Sequence, residues 1–176
     1  MSVRRLNHAV LYVSDVSRSV KFYRDALGFE IATEIPGRAA FLRAPGTSND
    51  HDLGLFQVAA AAQPSGSGPG ARRADGAPRP GLYHLAWEVG TLPELVEMRG
   101  RLAAHGVLVG ASDHRVSKSL YAKDPDGIEF EVMWRVPVQD WAEELRTGEM
   151  IAPLDLDAAL ARWGDLVTGA AAGSAT

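Results

Sequence analysis

Two histidines and one glutamate are the residues of this sequence whose types and placement could bind a metal ion. His8 lies in the segment LNHAVLYV, His84 in LYHLAWEV and Glu131 in IEFEVMW. Neutral imidazole and ionised carboxylate suit Fe(II) and Mn(II), and also Zn(II). Two histidines and one carboxylate on one surface form a facial set of ligands, which leaves other positions on the metal open for substrate.

The segments around the two histidines belong to an internal repeat. The stretches LNHAVLYVSDVSRSVKFYRDALGFEI (6–31) and LYHLAWEVGTLPELVEMRGRLAAHGVLV (82–109) each contain an apolar strand, a polar turn, an amphipathic helix, a glycine and a second strand. Aligning them matches His8 with His84. Further strand-like segments follow in each half, namely AAFLRA and HDLGLFQV in the first and KSLYAK and IEFEVMW in the second. The sequence therefore predicts two duplicated βαβββ modules.

The alternation of side chains along these strands predicts which residues share a sheet face. Helices must cover one face, and the more apolar rows suit that role: Ala9-Leu11-Val13, Leu85-Trp87-Val89 and Phe130-Val132-Trp134. His8, His84 and Glu131 then lie together on the opposite face. A single strand histidine is more often structural and a single strand glutamate more often solvated. The matching positions of the two histidines in the repeat, with a carboxylate on the same face, make a metal site the better interpretation.

The organisation of the chain follows from the repeat. We predict an α+β fold with a first βαβββ module at 1–62, a flexible linker rich in Gly, Pro, Ser and Ala at 63–80, and a second βαβββ module at 81–136. Residues 137–176 are predicted to form a C-terminal helical extension and tail. Apolar residues of this extension carry too much area to remain in water, so it is expected to pack on the modules or on a second subunit. These residues are Trp141, Leu145, Leu160 and Trp163.

Composition excludes several functional classes. The chain has 176 residues, of which 46% are hydrophobic, enough for one compact domain or two small packed modules. The net charge is −4 with no basic stripe, which argues against nucleic-acid binding. The absence of cysteine excludes disulfides, thiolate metal sites and cysteine nucleophiles. No long apolar run marks a signal peptide or a membrane span, so a soluble cytoplasmic protein without a membrane partner is expected.

In three motifs the chain resembles the vicinal oxygen chelate superfamily, which includes extradiol ring-cleaving dioxygenases, glyoxalase I, fosfomycin-resistance transferases and bleomycin-binding proteins. The motifs are LNHAVLYVSDVSRSVKFYRDALGFE, GLYHLAWEV and YAKDPDGIEFEVMW, within about residues 3–136. The resemblance implies that the paired modules form a curled mixed sheet around a metal. It also implies that His8, His84 and Glu131 occupy the three ligand positions.

Three groups of the superfamily have motif residues that differ from those of this chain, which argues against membership of those groups. Glyoxalase-type enzymes take a further carboxylate from the last strand of the first module, where this chain has Gln57 and no glutamate. Fosfomycin transferases have a threonine where this chain has Val10, and an arginine where it has Asp140. Bleomycin-binding proteins generally lack the metal ligands.

The extradiol dioxygenases resemble this chain more closely. They carry a tyrosine ten residues before the metal-binding glutamate, and Tyr121 stands there before Glu131. The segment DHRVSKSLYAKDPDG resembles the one that brings their active-site histidine, which puts His114 in that role. A second acid–base residue is expected in NDHDLGLF, where His51 is close and Asp52 is the alternative.

The resemblance implies a metal-dependent extradiol dioxygenase, similar to catechol 2,3-dioxygenases, that acts on a catechol-type aromatic diol with O2. The cofactor expected is Fe(II), with Mn(II) or another divalent metal as alternatives. His114 or His51 would transfer protons, and Tyr121 would donate a hydrogen bond to the substrate. A homodimer or higher homo-oligomer is expected. The alternatives are another metal-dependent enzyme of the superfamily, such as a thiol transferase or isomerase, or a ligand-sequestering binding protein.

Overall fold

Two four-stranded mixed sheets, one from each half of the chain, dominate the computed structural model of the protein, which describes residues 2–58, 81–164 and 166. In the first sheet the strand order is β1-β4-β3-β2, with β1 parallel to β4 and the other neighbours antiparallel. Its elements are, in chain order, β1 (Ala9–Val13), α1 (Val16–Leu27), β2 (Glu30–Ile35), β3 (Ala39–Arg43) and β4 (Leu53–Gln57).

The second sheet repeats this topology, with strand order β5-β8-β7-β6 and β5 parallel to β8. Its elements are, in chain order, β5 (Leu85–Glu88), α2 (Leu92–Ala104), β6 (Leu108–Asp113), β7 (Ser117–Lys123) and β8 (Glu129–Arg135). The α+β class, with its duplicated order of elements, is thereby confirmed. The predicted linker at 63–80 lies outside the described residues.

Both helices begin and end at residues that satisfy the free backbone groups of a helix terminus. The Asp15 side chain accepts a hydrogen bond from the Arg18 N–H at the start of α1, and Gly28 ends that helix with φ of 80°. At the start of α2, Thr91 and Glu94 form a reciprocal capping box. These local signals fix where each helix meets its sheet.

The hydrophobic core lies on the helix side of both sheets and joins the two halves of the chain. Helix α1 packs against α2. The Phe22 ring lies 6.0 Å from that of Phe130, and the Phe29 ring lies 5.1 Å from that of Trp87 in an edge-to-face arrangement. The described part of the protein therefore has one continuous core that includes residues from both modules.

A turn between β7 and β8 ties the second half to the start of α1. The Asp126 carboxylate accepts hydrogen bonds from the Ser14 N–H at 3.0 Å, from the Ser14 hydroxyl and from the Arg18 guanidinium at 2.7 Å. The Tyr23 hydroxyl donates to Asp124 at 3.2 Å. Burial raises the pKa of the Asp124 carboxyl, and burial together with the charge of Asp124 raises the pKa of the Tyr23 phenol. This turn fixes the two modules relative to each other.

The C-terminal extension packs on the second sheet. It contains a 3₁₀ turn at Val138–Asp140, α3 (Trp141–Glu144), a second 3₁₀ turn at Leu145–Thr147, and α4 (Leu156–Trp163). Trp163 is buried, with its ring 5.8 Å from that of Trp134, and Trp141 and Leu160 pack partly buried against the core. Leu145, at the start of the second 3₁₀ turn, is 53% exposed and is not packed against the core, so for this residue the alternative of packing on a second subunit stays a prediction. None of the described helices is long and apolar enough to cross a membrane.

Candidate metal and substrate site

His84 and Glu131 lie together on the face of the second sheet that the helices do not cover. Strands β5 and β8 run parallel with Ala86 opposite Glu131, and His84 directly precedes β5. His84 Nε2 lies 3.0 Å from Glu131 Oε2. Phe130 and Val132 flank Glu131 on β8 and point into the core, as the alternation of a strand requires. The face assignment for Glu131 therefore agrees with its position in the sheet.

The second ring nitrogen of His84 is an additional feature of this pair. Among the described residues it has no hydrogen-bond partner, although the atom is buried. A buried polar atom without a partner is uncommon and often marks a functional position. An imidazole nitrogen and a carboxylate oxygen in direct contact, beside such an atom, are a donor pair that fits a divalent ion of the Fe(II) or Mn(II) type.

Tyr121 and His114 extend this pair into a cluster of four side chains. Tyr121 lies directly opposite Glu131 in the antiparallel register of β7 and β8. Its ring centroid is 5.8 Å from that of His84, and its hydroxyl oxygen is 2.6 Å from His114 Nε2. Two residues expected to handle substrate therefore lie beside two expected to bind metal, although all four come from different elements or turns.

The environment of Tyr121 keeps its hydroxyl protonated. Burial, followed by the negative charge of Glu131, raises the pKa of the Tyr121 phenol to about 12. A phenol with this pKa is a hydrogen-bond donor at any physiological pH, because its neutral form dominates.

His8 and His51 form a second group on the first module. Their ring centroids lie 4.5 Å apart. His8 Nδ1 lies 2.9 Å from Asn7 Oδ1, and His51 Nδ1 lies 2.8 Å from Asp50 Oδ2. His51 also contacts the edge of the Phe41 ring, with centroids 5.1 Å apart. Each imidazole is thus oriented through its Nδ1 by a neighbouring side-chain oxygen.

His51 and Asp52, the two candidates for the second acid–base residue, make different contacts. The Asp52 carboxylate accepts hydrogen bonds from the Ala44 N–H at 2.9 Å, the Thr47 hydroxyl at 3.0 Å and the Asn49 amide at 2.6 Å. These bonds shape the loop before β4. Of the two candidates, His51 is the one in contact with His8.

The two groups are not joined into one metal-binding set. Among residues 2–58, 81–164 and 166, no three His, Cys, Asp or Glu side chains are close enough together to hold a metal ion. A pocket of about 230 Å³ lies between the modules, lined by His8 and Asn7 on one side and by Leu85 and Ala86 on the other. His8 therefore faces a pocket that reaches β5, while His84 and Glu131 contact each other directly.

Some residues near the site were not identified from the sequence. Asn7 orients His8, Asp50 orients His51, and the Tyr83 ring lies 4.9 Å from that of His84. Their only signal in the sequence is that each directly precedes a candidate residue. Gln57, at the position of the missing carboxylate, instead accepts the Val16 N–H at 2.9 Å at the start of α1.

Comparison with known proteins gives a family match over most of the chain. A profile of the Glyoxalase/Bleomycin resistance protein/Dioxygenase superfamily matches residues 5–132. A catechol-2,3-dioxygenase from Bacillus subtilis is 29% identical over 163 residues, covering 91% of this chain and 52% of that protein. Metapyrocatechase 2 from Cupriavidus necator is 30% identical over 107 residues, covering 61% of this chain and 28% of that protein. The chain thus spans about half the length of the first relative and a smaller part of the second.

Solved structures show the same fold. A glyoxalase/dioxygenase from Nostoc punctiforme superposes with a TM-score of 0.58 at 22% identity, covering 76% of this chain and 92% of that one.

Proposed function

Because the chain belongs to the Glyoxalase/Bleomycin resistance protein/Dioxygenase superfamily, we propose that it is a metal-dependent extradiol dioxygenase that opens the ring of a catechol-type diol with O2. The cluster of four side chains carries this proposal: the His84–Glu131 contact at 3.0 Å lies beside the His114–Tyr121 contact at 2.6 Å. It combines a metal donor pair with a protonated hydroxyl and an imidazole. The names of the two curated relatives support the same chemistry.

His8, His84 and Glu131 are the proposed metal ligands, with Fe(II) as the metal and Mn(II) as the alternative. The imidazole and carboxylate donors suit these ions. When bound, such an ion would lower the pKa of the diol hydroxyls and bring O2 and the diol together.

Tyr121 and His114 act on the substrate in this proposal. With its proton on Nε2, His114 would donate to the Tyr121 oxygen across the 2.6 Å contact. The single hydroxyl proton of Tyr121 is then free to donate a hydrogen bond to a diol oxygen that has lost its proton. A hydrogen bond to a charged oxygen is shorter and stronger than one between neutral groups. The pair therefore holds the substrate in its ionised form and provides a route for a proton.

His51 is the proposed second proton carrier, on the first module beside His8. Its Nδ1 is oriented by Asp50, and its ring stands against that of His8. An imidazole is suited to general acid and base catalysis because it titrates near neutral pH. Val10 and Tyr12 are 51% and 74% exposed on the strand face that carries His8, and they offer apolar surface to an aromatic ring.

The test of this function is oxygen uptake. The protein is purified without air, its metal content is measured, and a panel of substituted catechols is added with O2. We expect O2 consumption equal to the amount of ring-opened product. A chain that binds catechols or metal without consuming O2 would contradict the dioxygenase and favour a binding protein or another enzyme of the superfamily.

A further inference from the structure

His114 lies in a turn with an unusual backbone. The turn joins β6 to β7 through residues 114–116, and it is closed by a hydrogen bond from the His114 N–H to the Ser117 carbonyl at 2.9 Å. Arg115, next to His114, has φ of 68° and is the only non-glycine residue with positive φ in the described part of the chain. Such a conformation persists only where surrounding contacts enforce it, and it is common at functional sites.

The C-terminal extension supplies contacts on both sides of His114. Asp113 forms an antiparallel bridge with Ala152, in which its N–H donates to the Ala152 carbonyl at 2.8 Å and its carbonyl accepts at 2.9 Å. The Arg115 guanidinium donates to the Glu149 carbonyl and to the Glu149 carboxylate, both at 2.9 Å. The residues before and after His114 are therefore each tied to the segment that leads into α4.

A buried lysine connects Asp113 and Arg115 to α3. Lys118 is 2% exposed, and its ammonium group donates to Asp113 Oδ1 at 2.7 Å, to the Arg115 carbonyl at 3.1 Å and to Glu144 Oε2 at 3.5 Å. Burying a charged group costs free energy, and an apolar residue in place of a buried ion pair often gives the same or higher stability. Ionic groups of this kind select one arrangement of the chain in some proteins, and here the arrangement selected is that of the His114 turn.

We propose that these contacts, which we call the C-terminal brace (Asp113, Arg115 and Lys118 with Glu144, Glu149 and Ala152), hold the His114 imidazole against the Tyr121 hydroxyl. The members of the brace are positioning residues, since none of them lies in the cluster of four side chains. Loosening the brace lowers turnover by leaving His114 outside its 2.6 Å contact for much of the time. The expected fall in turnover rests on the proposed function, whereas the expected displacement of the His114 imidazole does not.

Arg115→Gly is the variant that tests the brace. Glycine adopts positive φ without strain, so the turn and the fold are retained while both bonds to Glu149 are lost. We expect turnover to fall roughly 10- to 100-fold, as a small misplacement of a catalytic group does, with metal content and KM unchanged. In a His114→Ala background the same substitution has no further effect, because a positioning residue acts only through the group that it holds.

Arg18→Ala is the matched control, because Arg18 also forms two side-chain hydrogen bonds, to Ser14 in the first module and to Asp126 in the second. It lowers stability and leaves turnover unchanged. An equal fall in turnover for Arg18→Ala and Arg115→Gly, or a further fall when Arg115→Gly is added to His114→Ala, would overturn the brace.

A second measurement does not depend on activity. The ring nitrogens of His114 are observed by NMR in protein labelled with ¹⁵N-histidine, and Tyr121→Phe identifies the signals of an imidazole without its partner. In Arg115→Gly the His114 signals move toward those of Tyr121→Phe. Unchanged His114 signals would overturn the brace, whether or not the wild-type chain opens catechols. A wild type that shows no ring cleavage overturns the proposed function alone.

Discussion

Tyr121→Phe separates the chemistry of the proposed site from its architecture. The substitution removes one hydroxyl from a half-buried ring and leaves the ring itself in place opposite Glu131. We therefore expect the fold and the proposed metal-binding pair, His84 and Glu131, to be retained. What is lost is the donor to an ionised diol oxygen, and such a bond is worth about 1.5–3 kcal/mol. If the bond forms in the transition state, turnover falls about 10- to 150-fold.

The assay for Tyr121→Phe combines metal quantification with the initial rate of O2 uptake at saturating catechol. We expect full metal content and the reduced rate. Loss of metal in this variant would mean that the tyrosine belongs to the metal site and that the cluster has been misassigned. A wild-type rate would mean that no substrate oxygen bonds to this hydroxyl, and the catechol orientation proposed here would be wrong.

The pH dependence of the same variant gives an independent check. For an acid, a raised pKa means that the neutral form persists to higher pH, so Tyr121, with its pKa of about 12, remains a donor throughout the range below pH 10. Any alkaline loss of turnover below pH 10 then comes from another group. Wild type and Tyr121→Phe should show the same loss of turnover at alkaline pH. If this loss disappears in the variant, the assignment of Tyr121 as a neutral donor is contradicted.

Three further predictions concern proton transfer and stability. His114→Ala should retain metal and lower turnover about 10²–10⁴-fold if it is the main proton carrier, whereas a loss of that size in His51→Ala instead would reverse the two roles. Asp126→Asn should destabilise the protein by about 1–3 kcal/mol in urea, because it weakens charge-assisted bonds across the module junction; an unchanged midpoint would exclude that junction as a source of stability. Trp163→Ala should cost about 3–5 kcal/mol, and truncation after Pro137 more, so an unchanged melting temperature in either would show that the extension does not support the fold.

The sequence predicted the fold class and the alternation along β8 because both depend on local periodicity. The duplicated pattern around His8 and His84 reflects the same strand–helix order in each half, and alternation alone separates Glu131 from the core row of β8. The strands are shorter than predicted: β1 and β5 begin at Ala9 and Leu85, where their pairing with β4 and β8 begins, so both histidines precede their strands. Strand pairing is a long-range property that no single segment encodes.

Other features of the site depend on contacts between distant parts of the chain. The contacts of Asp52 depend on the loop before β4, whose donors bond its carboxylate. The connection of Arg115 to Glu149 spans 34 residues and has no periodic signal in the sequence. Leu145 was predicted to be covered because of its apolar area, and the 3₁₀ turn that it begins leaves it exposed in the single chain.

Metal content after substitution of His8 tests the proposed site most directly, because His8 is the proposed ligand that stands apart from the His84–Glu131 pair. Wild type, His8→Ala and His105→Ala are loaded with Fe(II) without air, desalted and measured for bound iron. His105 lies at the end of α2, outside the candidate site, and is the matched control. We predict one iron per chain in the wild type and in His105→Ala, and no stoichiometric iron in His8→Ala. Full iron content in His8→Ala would contradict the metal site proposed here.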